Sequence, residues 1–188
     1  MSIPTLPGSK PFRQNGAILA FLPFFHKPSI WVCDETVVRL GRELRALGCE
    51  TSIFSGGRLP KEPPPILLTR SHRLLADRDL SFLPPTILLK SDRVGDQLRD
   101  LDRIAKINRI LRPWTLCIRC GGPLNRHSPE KFRGAVPDYV VASTRWIGRC
   151  ERCGHLFWRA TQTSKQEAFW REIFGSRFPI GAADAPSS

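Results

Sequence analysis

Four of the six cysteines fall into two matched units, Cys117 and Cys120 in CIRCGG and Cys150 and Cys153 in CERCGH, with 29 residues between them. A CxxC followed by glycine forms a knuckle. Its turn aims two thiolates at one point, and the glycine lets backbone N–H groups approach the sulfurs. Two knuckles supply the four soft ligands of a tetrahedral zinc site with Zn–S bonds of ~2.3 Å, and closure by four cysteines makes such a site structural rather than catalytic. Two other chemistries compete. A thioredoxin-like centre needs one CxxC at the start of a βαβ unit, and paired disulfides belong to oxidising compartments. The matched pair therefore reads as zinc, with His127 and His155 as bystanders and Cys33 and Cys49 as small buried hydrophobes.

Around the second knuckle basic and aromatic side chains interleave: Arg145, Trp146, Arg149, Arg152, His155, Phe157, Trp158 and Arg159. Period-two alternation sets Phe157 on the face opposite Trp158, so one face of a β-ribbon can carry a base-stacking ring with arginines beside it. The competing reading is that the rings form the mini-core of a ribbon with little else to bury. Phe157 is assigned to that core, Trp158 is left open, and the arginines, with Arg119 of the first knuckle, are expected on phosphates.

These side chains need a scaffold, and the order of patterns along the chain supplies one. Residues 1–28 are dense in Pro and Gly, which predicts an extended arm with one short strand near Ala17 to Leu22, wrapped on a neighbour. Residues 29–112 alternate continuous apolar strands (SIWVC, ILLTR, TILLK) with amphipathic helices (ETVVRLGRELRALG, HRLLADRDLSFL, GDQLRDLDRIAKINRIL). That alternation means a parallel sheet flanked by helices, an α/β unit. SGGRLPKEPPP between them cannot hold a helix. Residues 113–162 break into short β-type runs (YVVAS, RWIG, HLFWRA) between the cysteine pairs, a smaller β-type zinc ribbon. Residues 163–188 give a docking helix, AFWREIF, behind a Ser164 to Glu167 capping box, and then a flexible tail.

The composition sets limits. The 188 residues include 29 Lys+Arg and 17 Asp+Glu, for a formal charge of +12, and 41% are hydrophobic, which excludes a large multidomain machine and a wholly disordered chain. The longest nearly uncharged run, GAILAFLPFF, is too short for a membrane span of ~20 residues, and no small-x-small cleavage site follows it. The reading is a cytoplasmic chain with no membrane partner. Most of the basic residues are arginine, the side chain that forks onto phosphate, and the density is greatest over residues 113–160. RNA is the expected partner.

The ordered set WVCDETVVRLGRELRALGCE, ILLTRSHRLL, SDRVGDQL, CIRCGGPL, Val136-Pro137 and CERCGHLFWR resembles the Mut-7 C-terminal RNase domain family, over about residues 30–160. The resemblance implies a PIN-like nuclease fold, here trimmed by one helix, fused to a C-terminal zinc ribbon. It also implies a metal-dependent RNase whose carboxylates, at the C-terminal ends of parallel strands, hold Mg²⁺ or Mn²⁺. Asp34 matches the family's first acid and Glu50 an acidic position after the LG. Where the family reads T-R-D, the chain has Thr69, Arg70 and Ser71, and its Gly-Ser-His is replaced by Ala160, Thr161 and Gln162. Asp92 and Asp96 are the remaining candidate ligands. Each acid also has a plain structural reading: Asp34 as the N-cap of the helix beginning at Glu35, and Asp92 and Asp96 as acids matched to a helix dipole. A non-catalytic RNA-binding or adaptor protein on the same scaffold is the alternative function.

Overall fold

A computed structural model of the chain describes residues 12–14, 17–20, 30–54, 65–73, 84–158 and 161–179. The larger unit is a six-stranded sheet. Its strands are β1 (Phe12–Gln14), β2 (Ala17–Ala20), β3 (Trp31–Cys33), β4 (Thr51–Ile53), β5 (Ile66–Thr69) and β6 (Thr86–Leu88), in the order β1-β2-β6-β5-β3-β4. The four inner-chain strands are mutually parallel, as the unbroken apolar runs predict, and every residue of β3, β5 and β6 is buried. β1 and β2 form an antiparallel hairpin, and β2 pairs antiparallel with β6, Ile18 facing Leu88. The arm thus adds two strands to the chain's own sheet, and the sheet is mixed rather than wholly parallel.

Helix α1 (Val38–Ala46) follows a 3-10 turn over Glu35–Val37 and buries Leu40 and Leu44 completely, the stripe its spacing predicts. Helix α2 (Val94–Ala105) buries Leu98 and Leu101. It is shorter than its apolar pattern suggests, because Lys106 adopts a left-handed conformation (φ 51°) and the chain continues as a 3-10 turn over Ile107–Arg109. The buried Asp102 fixes that exit by accepting from the Asn108 backbone N–H at 3.0 Å and from Arg177. HRLLADRDLSFL and SGGRLPKEPPP lie almost wholly outside the described residues.

The smaller unit is an antiparallel sheet of β7 (Leu124–His127), β8 (Ile147–Cys150) and β9 (Leu156–Trp158). YVVAS is not a strand in it. It lies within helix α3 (Asp138–Ser143), whose first turn closes from Val140 N–H to Pro137 O at 2.9 Å. The packing of Val140 and Val141 against Phe132, Val136 and Ile147 overrides the β preference of two adjacent valines.

Helix α4 (Thr161–Phe174) starts before the expected capping box, so Ser164 lies inside it and is exposed. Its buried face is Glu167, Trp170, Ile173 and Phe174, and the last three join the core of the larger sheet. Ala168, the first residue of AFWREIF, is exposed. Trp170 and Gln166 also reach back to α1, donating to the Glu43 carboxylate. No helix among the described residues is long and apolar enough to cross a membrane.

Candidate metal centre and acidic crest

The two knuckles converge. The Sγ atoms of Cys117, Cys120, Cys150 and Cys153 all lie within 4.8 Å of one another, with Cys117 to Cys153 at 3.7 Å and Cys120 to Cys150 at 3.5 Å. A tetrahedron with ~2.3 Å metal–sulfur bonds has edges of about 3.8 Å, so the donor set fits one four-coordinate soft cation such as zinc. Each turn is closed by its glycine, with Gly121 N–H donating to Cys117 O (2.7 Å) and Gly154 N–H to Cys150 O (2.9 Å). Both glycines sit at positive φ, 73° and 70°, where a side chain would be strained. Burial pushes the Cys117 thiol up to about 12 and raises that of Cys150. At Cys120 burial also acts upward, but hydrogen bonds from the Gly122 N–H and the neighbouring thiols outweigh it and bring the thiol down to about 7. A bound cation would favour the thiolate form of all four.

Sequence reasoning missed the residue that joins this centre to the larger sheet. Arg45, on α1 and 6% exposed, donates from Nε to Thr51 O (2.9 Å) and from one terminal nitrogen to Ile118 O (3.3 Å) and Arg119 O (2.8 Å). Its guanidinium thus ties β4 to the backbone inside the first knuckle. Burial lowers its pKa, and the charges of Cys120, Cys33 and Cys117 oppose that. Only its position beside an apolar helical stripe hinted at it.

Of the candidate phosphate contacts, Arg119, Arg145, Arg149 and Arg152 are exposed. Arg119 meets His155 Nδ1 at 3.0 Å, and Arg152 donates to Cys120 O at 3.0 Å. Arg159 lies outside the described residues. Phe157, expected in the mini-core, instead packs edge-on against the exposed His155, and Trp158, left open by the sequence, is half-buried on the Phe132 and Ile147 cluster with Leu156 beside it.

The second site is the crest at the C-terminal ends of the parallel strands. β4 lies on one side of β3 and β5 on the other, so the winding reverses there, and open α/β sheets bind ligands at such a reversal. Asp34 directly follows β3 and is 6% exposed. Its Oδ1 accepts from the Thr36 N–H (2.9 Å) and hydroxyl (2.5 Å), and its Oδ2 accepts from the Thr69 hydroxyl at the end of β5. It therefore caps the turn into α1, as its structural reading held, and also bridges β3 to β5. Arg70 N–H donates to Thr36 Oγ1 (2.8 Å), and Ser71 N–H to Thr69 Oγ1 (2.9 Å).

Beyond β6, Asp92 is exposed, and Asp96 is held by Ser91 Oγ (3.0 Å) and Arg99 (3.0 Å). Among the described residues the cysteines are the only group of three or more metal-ligating side chains so gathered, and Asp34, Asp92 and Asp96 are not brought together. Among the described residues, two buried side-chain polar atoms have no partner: Arg70 Nε, just past β5, and Gln97 Oε1, on α2, whose amide nitrogen donates to Ser91 O (2.8 Å). Cys33, adjoining Asp34, is inert, since burial pushes its thiol up to about 12.

A family model described as the Mut7-C RNAse domain matches residues 30–170, which contain the crest, both knuckles and most of α4. No curated protein and no solved structure matches the chain. With the ordered motifs falling on the strand ends and the cysteine turns in this way, the chain belongs to the Mut7-C RNAse domain family.

Proposed function

We propose that the chain is a cation-dependent RNase with a reduced acidic centre, built on a trimmed PIN-like sheet and a four-cysteine zinc ribbon that grips the RNA. The observation that carries this reading is the crest. A buried carboxylate stands at the reversal between β3 and β5, and the two unpartnered buried polar atoms belong to Arg70, just past β5, and to Gln97, tethered to Ser91 beyond β6. Native folds meet nearly all such atoms, with protein groups, ordered water or a bound ligand. An arginine donor suits a phosphate oxygen, and an amide oxygen suits a hydroxyl or a hydrated cation.

The fit to Mg²⁺ or Mn²⁺ is narrow. Asp34 already accepts three hydrogen bonds, leaving roughly one of its four lone pairs, on Oδ2, and Asp92 or Asp96 would have to supplement it. Mg²⁺ is often held by one or two carboxylates plus waters and substrate phosphates, so the set suffices only for weak binding. When bound, the ion would activate water and neutralise charge on the phosphodiester. The chain's own residues orient the strand: Thr36 and Thr69 fix the Asp34 carboxylate, and Arg119, Arg145, Arg149, Arg152 and Arg159 engage phosphates outside the crest.

One observation favours a second reading, a non-catalytic RNA-binding protein. Asp34 commits both of its oxygens to the cap and the strand bridge, with little acceptor capacity left, and Ser71 stands where the family's acid would be. The two readings separate in one experiment. Mn²⁺-dependent cleavage of single-stranded RNA by the zinc-loaded chain, lost in Asp34→Asn with RNA affinity retained, is the expected result. RNA binding without cleavage in the wild type establishes the second reading instead.

A further inference from the structure

The chain has five tryptophans. Trp31 and Trp170 are buried in the larger core, and the other three, Trp114, Trp146 and Trp158, are all half-buried and line one cleft with Phe157. The cleft lies between the three-stranded sheet and α4, which contributes Thr163 and Glu167. Rings present only to fill a small core would be covered, as Trp170 is. Four rings left partly open in one place form a surface suited to a flat, polarisable partner.

Three features shape that surface. The register pairs Gly148 with Arg126 on one side and Phe157 on the other, and a Cβ there would sit 3.4 Å from the Trp146 ring, so the missing side chain lets that ring lie close against the sheet. The Arg126 guanidinium lies 4.5 Å from the Trp146 ring centroid, bringing positive charge to the rim. Trp114 is held at φ 62°, unusual for a bulky residue, by its N–H bond to Ala46 O (2.8 Å) and its indole bond to Glu167 Oε1 (3.2 Å). A strained ring fixed at both ends suggests a functional constraint.

The chemistry of the walls selects the guest. The cavity holds about 40 Å³, room for a few waters, so a ring would lie across the indoles rather than sink between them. Glu167, 4% exposed, is spent on the lining itself: its Oε1 accepts from the Trp114 indole N–H (3.2 Å) and its Oε2 lies 3.7 Å from Arg171. The guest is therefore selected by the rings, whose apolar surfaces suit the flat face of a base rather than a phosphate. Exposed Arg145 and Arg149, close in sequence to Trp146 and Gly148, leave the phosphates to the outside.

We propose that the cleft formed by Trp114, Trp146, Phe157 and Trp158 is a stacking site for an unpaired nucleobase of single-stranded RNA. The proposal rests on the RNA-directed reading above and assigns the base-contacting part of the grip. In the test, zinc-loaded full-length chain is titrated into a labelled single-stranded oligoribonucleotide and into an abasic strand of the same length, for the wild type and for Trp146→Leu and Phe157→Leu. The expected result is a roughly tenfold or greater loss of affinity for the base-bearing strand in each variant, with the abasic strand bound as by the wild type. Equal loss on both strands, or no loss on either, overturns the stacking site and leaves RNA binding standing. Absence of RNA binding by the wild type removes both readings. Concentration-dependent self-association abolished by Trp146→Leu would put a second copy of the chain on these rings and overturn the proposal.

Discussion

The two sheets of this chain solve the problem of burial differently. The larger sheet buries Leu40, Leu44, Leu68, Ile87, Leu98, Leu101 and Trp170 without residual exposure, each contributing roughly 1.5–3 kcal/mol. The apolar cluster beside the three-stranded sheet has five buried members, Phe132, Val136, Val140, Val141 and Ile147, and the tryptophans there stay half open. A cluster of that size is small for an independent fold, and the four-cysteine group is the feature beside it that could supply a cross-link. The contrast also appears in where each unit carries functional strain. The first keeps unmet polar atoms at its strand ends, and the second keeps open rings and exposed arginines.

The severest way to break this comparison is to remove the centre. The zinc-loaded chain is expected to carry about one zinc, and Cys117→Ser to unfold the three-stranded unit, since structural zinc supplies on the order of 10 kcal/mol. Near-ultraviolet dichroism would follow this through Trp146 and Trp158. An unchanged spectrum with zinc lost would mean that the small core suffices. Arg45→Met sharpens the comparison at the junction. It removes the donors to Thr51, Ile118 and Arg119 and should cost about 1.5–3 kcal/mol in urea unfolding, with weaker zinc retention. Lower stability with unchanged zinc affinity would make the two units energetically separate.

The smallest effect tests the larger unit alone. Burial raises the Glu43 pKa above its ordinary 4.5, against the hydrogen bonds from Trp170 and Gln166. A raised acid binds protons more tightly in the fold, so its ionisation costs stability as pH rises from about 4.5 through the folded value. Glu43→Gln should therefore melt higher than the wild type at pH 7, with the difference closing at pH 4. A constant difference across that range would assign the change to packing.

Much of this arrangement was legible in the residues. The unbroken apolar strands gave the parallel order, and Val37, Leu40, Leu44 and Leu47 gave the buried face of α1, because local periodicity and long-range burial agree there. The cysteine spacing announced a four-sulfur group for the same reason. The helix at Asp138–Ser143 was not legible, since two valines favour a strand until Phe132 and Ile147 pack on them. Nor was the early end of α2, which depends on Asp102 meeting Arg177, 75 positions away. At the crest, the sequence named Asp34 but not its bond to Thr69, and the gathering of three tryptophans from separate segments left no local pattern.

The pairing of β2 with β6 bears on how the chain is born. Ile18 and Leu88 meet across the sheet, yet some 70 residues separate them, and both flanks of the hairpin's partner must be synthesised in between. β2 is thus made some 70 residues ahead of the strand it pairs with, and its backbone edge on that side stays unpaired until β6 follows. Prolines and glycines crowd the sequence on both sides of it, and residues of those types make a poor template for mispairing at an open edge.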